Sequence, residues 1–146
     1  MSKARDIMSS PVVTVEVASS VREAAKLMAS RGIGCVIVKQ GDNVAGILTE
    51  RDLLTKVVAG RLNPDETKVS EVMTKDVVTV DSDADLFEVN NIFHEHGIRR
   101  LPVVEAGDVV GIITSRNILK NLKDVRARKF VSKEYSRPEF KWDTPR

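Results

Sequence analysis

Residues 46–52 read GILTERD, and 65 positions later residues 111–117 read GIITSRN. Glycine, a following isoleucine, threonine and arginine recur in the same places. Sliding the chain on itself by 65 residues aligns 4–57 with 69–122 without a gap, and fifteen pairs are identical. They include Met8/Met73, Val12–Val15 against Val77–Val80, Glu23/Glu88, Gly32/Gly97, Ile33/Ile98, Val38/Val103 and Arg51/Arg116. The identities fall on turn glycines as well as on apolar positions, as a duplicated supersecondary unit requires.

Each copy carries the same local signals. VVTV reads as a short extended segment. A helix is predicted from about Val21 to Arg31, with Ser20 and Glu23 at capping-box spacing and an apolar stripe of Val21, Ala24, Ala25 and Met28. Gly32 suits the end of that helix. CVIVK and VAGIL are β-branched strands around the turn QGDN. Thr49 is placed to open a second helix running to about Ala59, with Gly60 as its stop. In the second copy Asp85 and Glu88 repeat the cap, Leu86, Val89, Ile92 and Phe93 repeat the stripe, and EAGD repeats the turn.

The expected fold is therefore α/β: two repeats of strand, helix, strand, strand, helix, paired about a pseudo-twofold axis, with a C-terminal extension. Repeat 1 covers 1–60, the polar, proline-bearing linker 61–68, repeat 2 69–123 and the tail 124–146. A unit of some 55 residues is marginal alone. Pairing two gives a shared core and a cleft with two related corners.

Composition bounds function less sharply. The chain has 146 residues, 42% hydrophobic and 30% charged, with a net charge of +2, so overall charge indicates no partner. The single cysteine, Cys35, excludes an internal disulfide and lies in an apolar run, which favours a reduced, cytoplasmic setting. No run suits a signal peptide or a membrane span, so no membrane association is expected. His94 and His96 stand two apart, a poor spacing for one metal ion on a helix, and no metal site is expected. The sequence contains no Gly-x-Ser-x-Gly, no Walker loop and no persuasive pair of carboxylates, so catalysis is not expected.

Gly46 permits close approach of a backbone or a ligand. Thr49 and Asp52 begin a helix, where free N–H groups favour an anion and a carboxylate can accept ribose hydroxyls. Thr-x-x-Asp is equally a near capping box, and both readings stand.

The two copies of VVTV, amphipathic helix, β-branched hairpin and Gly-h-h-Thr-x-Arg-Asp/Asn, together with HGIRRLPVV at 96–104, resemble the cystathionine β-synthase (CBS) domain family over about residues 3–123. Two such repeats resemble one complete Bateman module. The resemblance implies a non-catalytic, regulatory sensor that binds AMP, ADP, ATP or S-adenosylmethionine as a regulatory ligand, with no required cofactor. By position it implies one site with Thr49, Arg51 and Asp52, and Met73, Val78 and Ile98 around the base. The other would use Thr114, Arg116 and Asn117, with Met8, Val13 and Ile33 around the base and Arg99 and Arg100 near the phosphates. Asn117 departs from the family's aspartate and weakens the expected ribose contact. The Asp52 corner is expected to meet Gly34 and Cys35 and to suit AMP or S-adenosylmethionine. The arginines would direct polyphosphate to the Asn117 corner.

With no effector domain in the sequence, a homodimer or a regulated protein in trans is expected to receive the signal. The stripes Leu53, Leu54, Val57, Val58 and Ile118, Leu119, Leu122 either form that dimer face or are buried within one chain. The tail holds Phe130, Tyr135, Phe140 and Trp142 among seven basic and four acidic residues. It provides the alternative reading, a nucleic-acid-binding or scaffold protein acting through the tail; otherwise its aromatics are expected to pack on the body or on a second protomer, or it is expected to be a flexible tail or a docking peptide for another protein.

Overall fold

A computed structural model describes residues 2–122; the tail readings lie outside the described residues. Ser20 caps α2 (Val21–Arg31) by accepting from the Glu23 N–H at 3.1 Å, and Gly32 closes it at φ 61. That left-handed conformation costs glycine nothing and a residue with a Cβ about 1 kcal/mol or more. Asp85 caps α5 (Leu86–His96) in the same way, accepting from Glu88 at 2.8 Å, and Gly97 closes it at φ 59.

Each helix connects two parallel strands, and the second of these turns back as a hairpin. β1 (Thr14–Glu16) pairs in parallel with β2 (Cys35–Gln40), which pairs antiparallel with β3 (Asn43–Thr49). In the second sheet β4 (Val80–Asp81) pairs with β5 (Arg100–Glu105) and β5 with β6 (Asp108–Thr114). The hairpin registers shift after Val38 and after Val103, equivalent positions opposite Gly46 and Gly111. The duplication thus extends to the irregularities of the sheet.

Two features differ from the sequence reading. Short helices α1 (Ala4–Ile7) and α4 (Val69–Val72) precede the strands; four residues are too few to establish a helical period. The second helix of repeat 1 is α-helical only at α3 (Glu50–Asp52) and continues as a π-helix, Leu53–Val58, whereas its counterpart α6 (Ser115–Leu122) is regular. The apolar spacing 53, 54, 57, 58 suits either winding, so the pattern did not separate them.

The short helices exchange places. Val69 and Val72 of α4 are buried with Val21, Met28, Val38 and Leu48 in the core of the first repeat. Ala4 and Ile7 of α1 are buried with Val89, Leu101, Val103 and Ile113 in the core of the second repeat. Reciprocal backbone bonds hold the exchange. Ala4 N–H donates to Ala84 O at 2.7 Å and Val69 N–H to Ser19 O at 2.8 Å. The bridges Ser9↔Ile112 and Ile47↔Thr74 are likewise one contact made twice with the repeats interchanged. Such reciprocity is what a twofold relation demands. The segment before α4 is also used structurally: the N–H groups of Val21 and Arg22 donate to Thr67 O and Pro64 O, satisfying two open donors at the start of α2.

Candidate functional site

The strand-to-helix junctions GILTERD and GIITSRN face the early segments of the opposite repeat. Gly46 packs beneath the Thr74 carbonyl, which would lie 2.5 Å from a Cβ, and beside Met73; Gly111 lies against Met8. The close approach allowed by each glycine is therefore to a neighbouring segment of the chain. Met73 and Met8 pack onto the two hydrophobic cores.

Thr49 begins α3 with a complete capping box. Its N–H and hydroxyl donate to Asp52 Oδ2 at 3.0 and 3.1 Å, and the Asp52 N–H donates to Thr49 Oγ1 at 3.2 Å. The second carboxylate oxygen meets Lys56 Nζ at 3.0 Å and the Thr74 hydroxyl at 3.4 Å. Asp52 is buried, 6% exposed. Thr114 and Asn117 repeat the capping bonds at 2.8, 2.8 and 3.3 Å, and the Asn117 amide donates to Ser9 Oγ at 3.1 Å.

Above each junction lies a cavity between the repeats, one of about 630 Å3 and one of about 540 Å3, sizes suited to a small molecule. Their walls correspond across the duplication. Thr49, Arg51, Val78 and Ile98 line the first; Thr114, Arg116, Val13 and Ile33 line the second. Asp76 in the first is matched by Pro11 in the second. Asn117 reaches the second cavity, while Asp52, Met73 and Met8 lie outside the two linings.

The expected partition of charge is corrected here. Arg99 and Arg100 line the Thr49 cavity together with Ile98, and Gly34 and Cys35 line the Asn117 cavity. Arg99 and Arg100 also line the Asn117 cavity, where they were expected, because side chains as long as arginine reach both cavities from the seam. What changes is that they serve both corners and that Gly34 and Cys35 lie at the Asn117 corner.

Glu50, not singled out from sequence, lines both cavities and pairs with Arg100 at 3.6 Å. Its signal was visible: between copies, Glu50/Ser115 and Arg100/Cys35 both change from uncharged to charged, at positions that prove to be neighbours. Burial pushes the Cys35 thiol above its ordinary pKa; Arg100 opposes the shift and Glu50 adds to it. His94 and His96 are exposed at the end of α5. Among the described residues, no helix is long and apolar enough to cross a membrane.

The second-helix stripes divide between core and surface. Val57 is buried and Leu53 and Ile118 pack on the cores, while Leu54, Val58 and Leu119 are exposed.

The family model for the CBS domain matches residues 4–59 and again 69–124. The uncharacterized protein MK0525 of Methanopyrus kandleri is 42% identical over 120 residues, 80% of this chain and 58% of that protein. Hypoxic response protein 1 of Mycobacterium tuberculosis is 33% identical over 132 residues, 90% of this chain and 92% of that protein. The crystal structure of the CBS domain pair of protein MJ0100, in complex with 5′-methylthioadenosine and S-adenosyl-L-methionine, matches with a TM-score of 0.75 at 26% identity. That match covers 84% of this chain and 97% of the other.

Proposed function

We infer that this chain, which belongs to the CBS domain family and carries a tandem pair of its repeats, is a regulatory sensor for adenosine-containing ligands held between those repeats. The observation that carries this reading is the pair of equivalent cavities. Each combines a threonine at a helix start, a valine–isoleucine pair suited to the faces of a purine, and arginines suited to phosphate. The adenosyl compounds bound by the MJ0100 pair support the ligand class.

In this reading Val78 and Ile98, or Val13 and Ile33, sandwich the base. Thr49 or Thr114 orients the ribose and the arginines hold the phosphates. Asp52 enters by exchanging its Lys56 and Thr74 partners for ribose hydroxyls. A ligand spanning both repeats shifts their relative arrangement only by its differential affinity for the arrangements. The exposed Leu54, Val58 and Leu119 offer a face through which a second copy or a regulated protein receives that shift.

Isothermal titration calorimetry with AMP, ATP and S-adenosylmethionine tests the reading. Saturable micromolar binding, weakened by Ile98→Asp or Ile33→Asp, is the expected result. Absence of binding by all three at millimolar concentration would overturn it.

A further inference from the structure

Glu50, Arg99 and Arg100 line both cavities. The Glu50 carboxylate and the Arg100 guanidinium stand together over Gly34, where a Cβ would overlap both. Their counterparts in the duplication are Ser115 for Glu50, Gly34 for Arg99 and Cys35 for Arg100. One charged cluster therefore serves two cavities.

We propose that Glu50 is a resident counter-anion on a cationic seam common to both cavities, and that a phosphate-bearing ligand in either cavity takes Arg100 from Glu50 and disfavours a second such ligand opposite. The Glu50 side chain is 67% exposed and that of Arg100 26%, so the carboxylate is the partner more easily released to water. A guanidinium carries a single positive charge, and bidentate pairing with a phosphate in one cavity largely neutralises it toward the other. A second phosphate then meets an occupied arginine and the charge of the first ligand across the seam. An uncharged ligand meets neither obstacle.

The remaining charges rank the cavities. The Thr49 cavity adds Arg51 but also Asp76, whereas the Asn117 cavity adds Arg116 with Pro11 in the place of Asp76. The first phosphate-bearing ligand accordingly enters the Asn117 cavity. This deepens the sensor reading and rests on it for the adenosine moiety; the seam itself is open to an inorganic probe.

Calorimetry on the full chain with tripolyphosphate, ADP and adenosine, using wild type, Glu50→Gln and Arg100→Gln, tests the proposal. Tripolyphosphate is expected to bind one per chain and to compete with ADP. Glu50→Gln should tighten tripolyphosphate and ADP about two- to fivefold, the scale of a part-exposed ion pair, and leave adenosine unchanged. Arg100→Gln should weaken both anions, with Arg100→Lys in its place if the glutamine variant melts early. Unchanged anion affinity in Glu50→Gln, or two equal and independent tripolyphosphate sites, would overturn it. A tripolyphosphate response to Glu50→Gln without any binding of adenosine or ADP keeps the seam and removes the adenosine ligand. Silence from tripolyphosphate in wild type and Glu50→Gln removes the seam, whatever ADP does.

Discussion

Lys56 Nζ lies 3.0 Å from the Asp52 carboxylate, whereas the residues in the same places of the second repeat, Asn117 and Asn121, are both neutral, and the Asn121 side-chain amide donates to the Asn117 backbone carbonyl at 2.9 Å. Acid and base changed together into two amides. That joint change accounts for Asn117 better than a loss at one position does: an aspartate there would lack a lysine one turn on.

The pairing should be measurable as coupling. Asp52→Asn removes the ion pair while keeping a capping oxygen, and is expected to destabilise the protein by about 1 kcal/mol, since the Lys56 side chain is 44% exposed. Lys56→Asn in that background should cost less than it does in wild type. A double-mutant cycle by urea denaturation checks this, and strict additivity would make the two residues independent.

The two glycines beneath the cavities should respond differently to alanine. At Gly46 the new methyl meets a backbone carbonyl held in the Ile47↔Thr74 bridge, whereas at Gly111 it meets the Met8 side chain. Gly46→Ala is expected to cost about 2–3 kcal/mol and Gly111→Ala about 1 kcal/mol, within the range for overpacking. Met8→Ala should partly offset Gly111→Ala, and Met73→Ala should do little for Gly46→Ala. Thermal melts of the four combinations decide it.

Cys35 should alkylate slowly at neutral pH. Its pKa is raised by burial, lowered by Arg100 and raised by Glu50, so the reactive thiolate is scarcer than in a free thiol. The rate with iodoacetamide should keep climbing above the pH at which a model thiol levels off. Removing the Glu50 charge should speed the reaction and removing the Arg100 charge should slow it. A plateau at the model thiol's pH would contradict the buried setting.

The exchange of α1 and α4 sets where the chain can be divided. A fragment of residues 1–60 lacks Val69 and Val72, which are 0% and 2% exposed in the core it would need. A fragment of residues 12–75 retains them and leaves out α1. Circular dichroism should find more helix and a steeper thermal transition in 12–75 than in 1–60; equal behaviour would show that α4 adds nothing to the first core.

Much of this molecule was legible in the chain because its signals are local. The 65-residue offset announced two related corners, whose lining by Thr49, Val78 and Ile98 or by Thr114, Val13 and Ile33 was implied by the family resemblance; Ser20 and Gly32 bounded α2, and the β-branched runs marked the hairpins. These features depend on capping, side-chain branching and turn conformation, all settled within a few residues. Tertiary structure alone decided the rest. It sent α4 into the first core and α1 into the second, seated Met8 and Met73 under glycines, and brought the Thr74 hydroxyl to Asp52. It also gathered Glu50 and Arg100, 50 positions apart, at one seam. Those outcomes depend on which surfaces meet when one repeat closes on the other, and a side chain as long as arginine can reach either cavity until that closure is made.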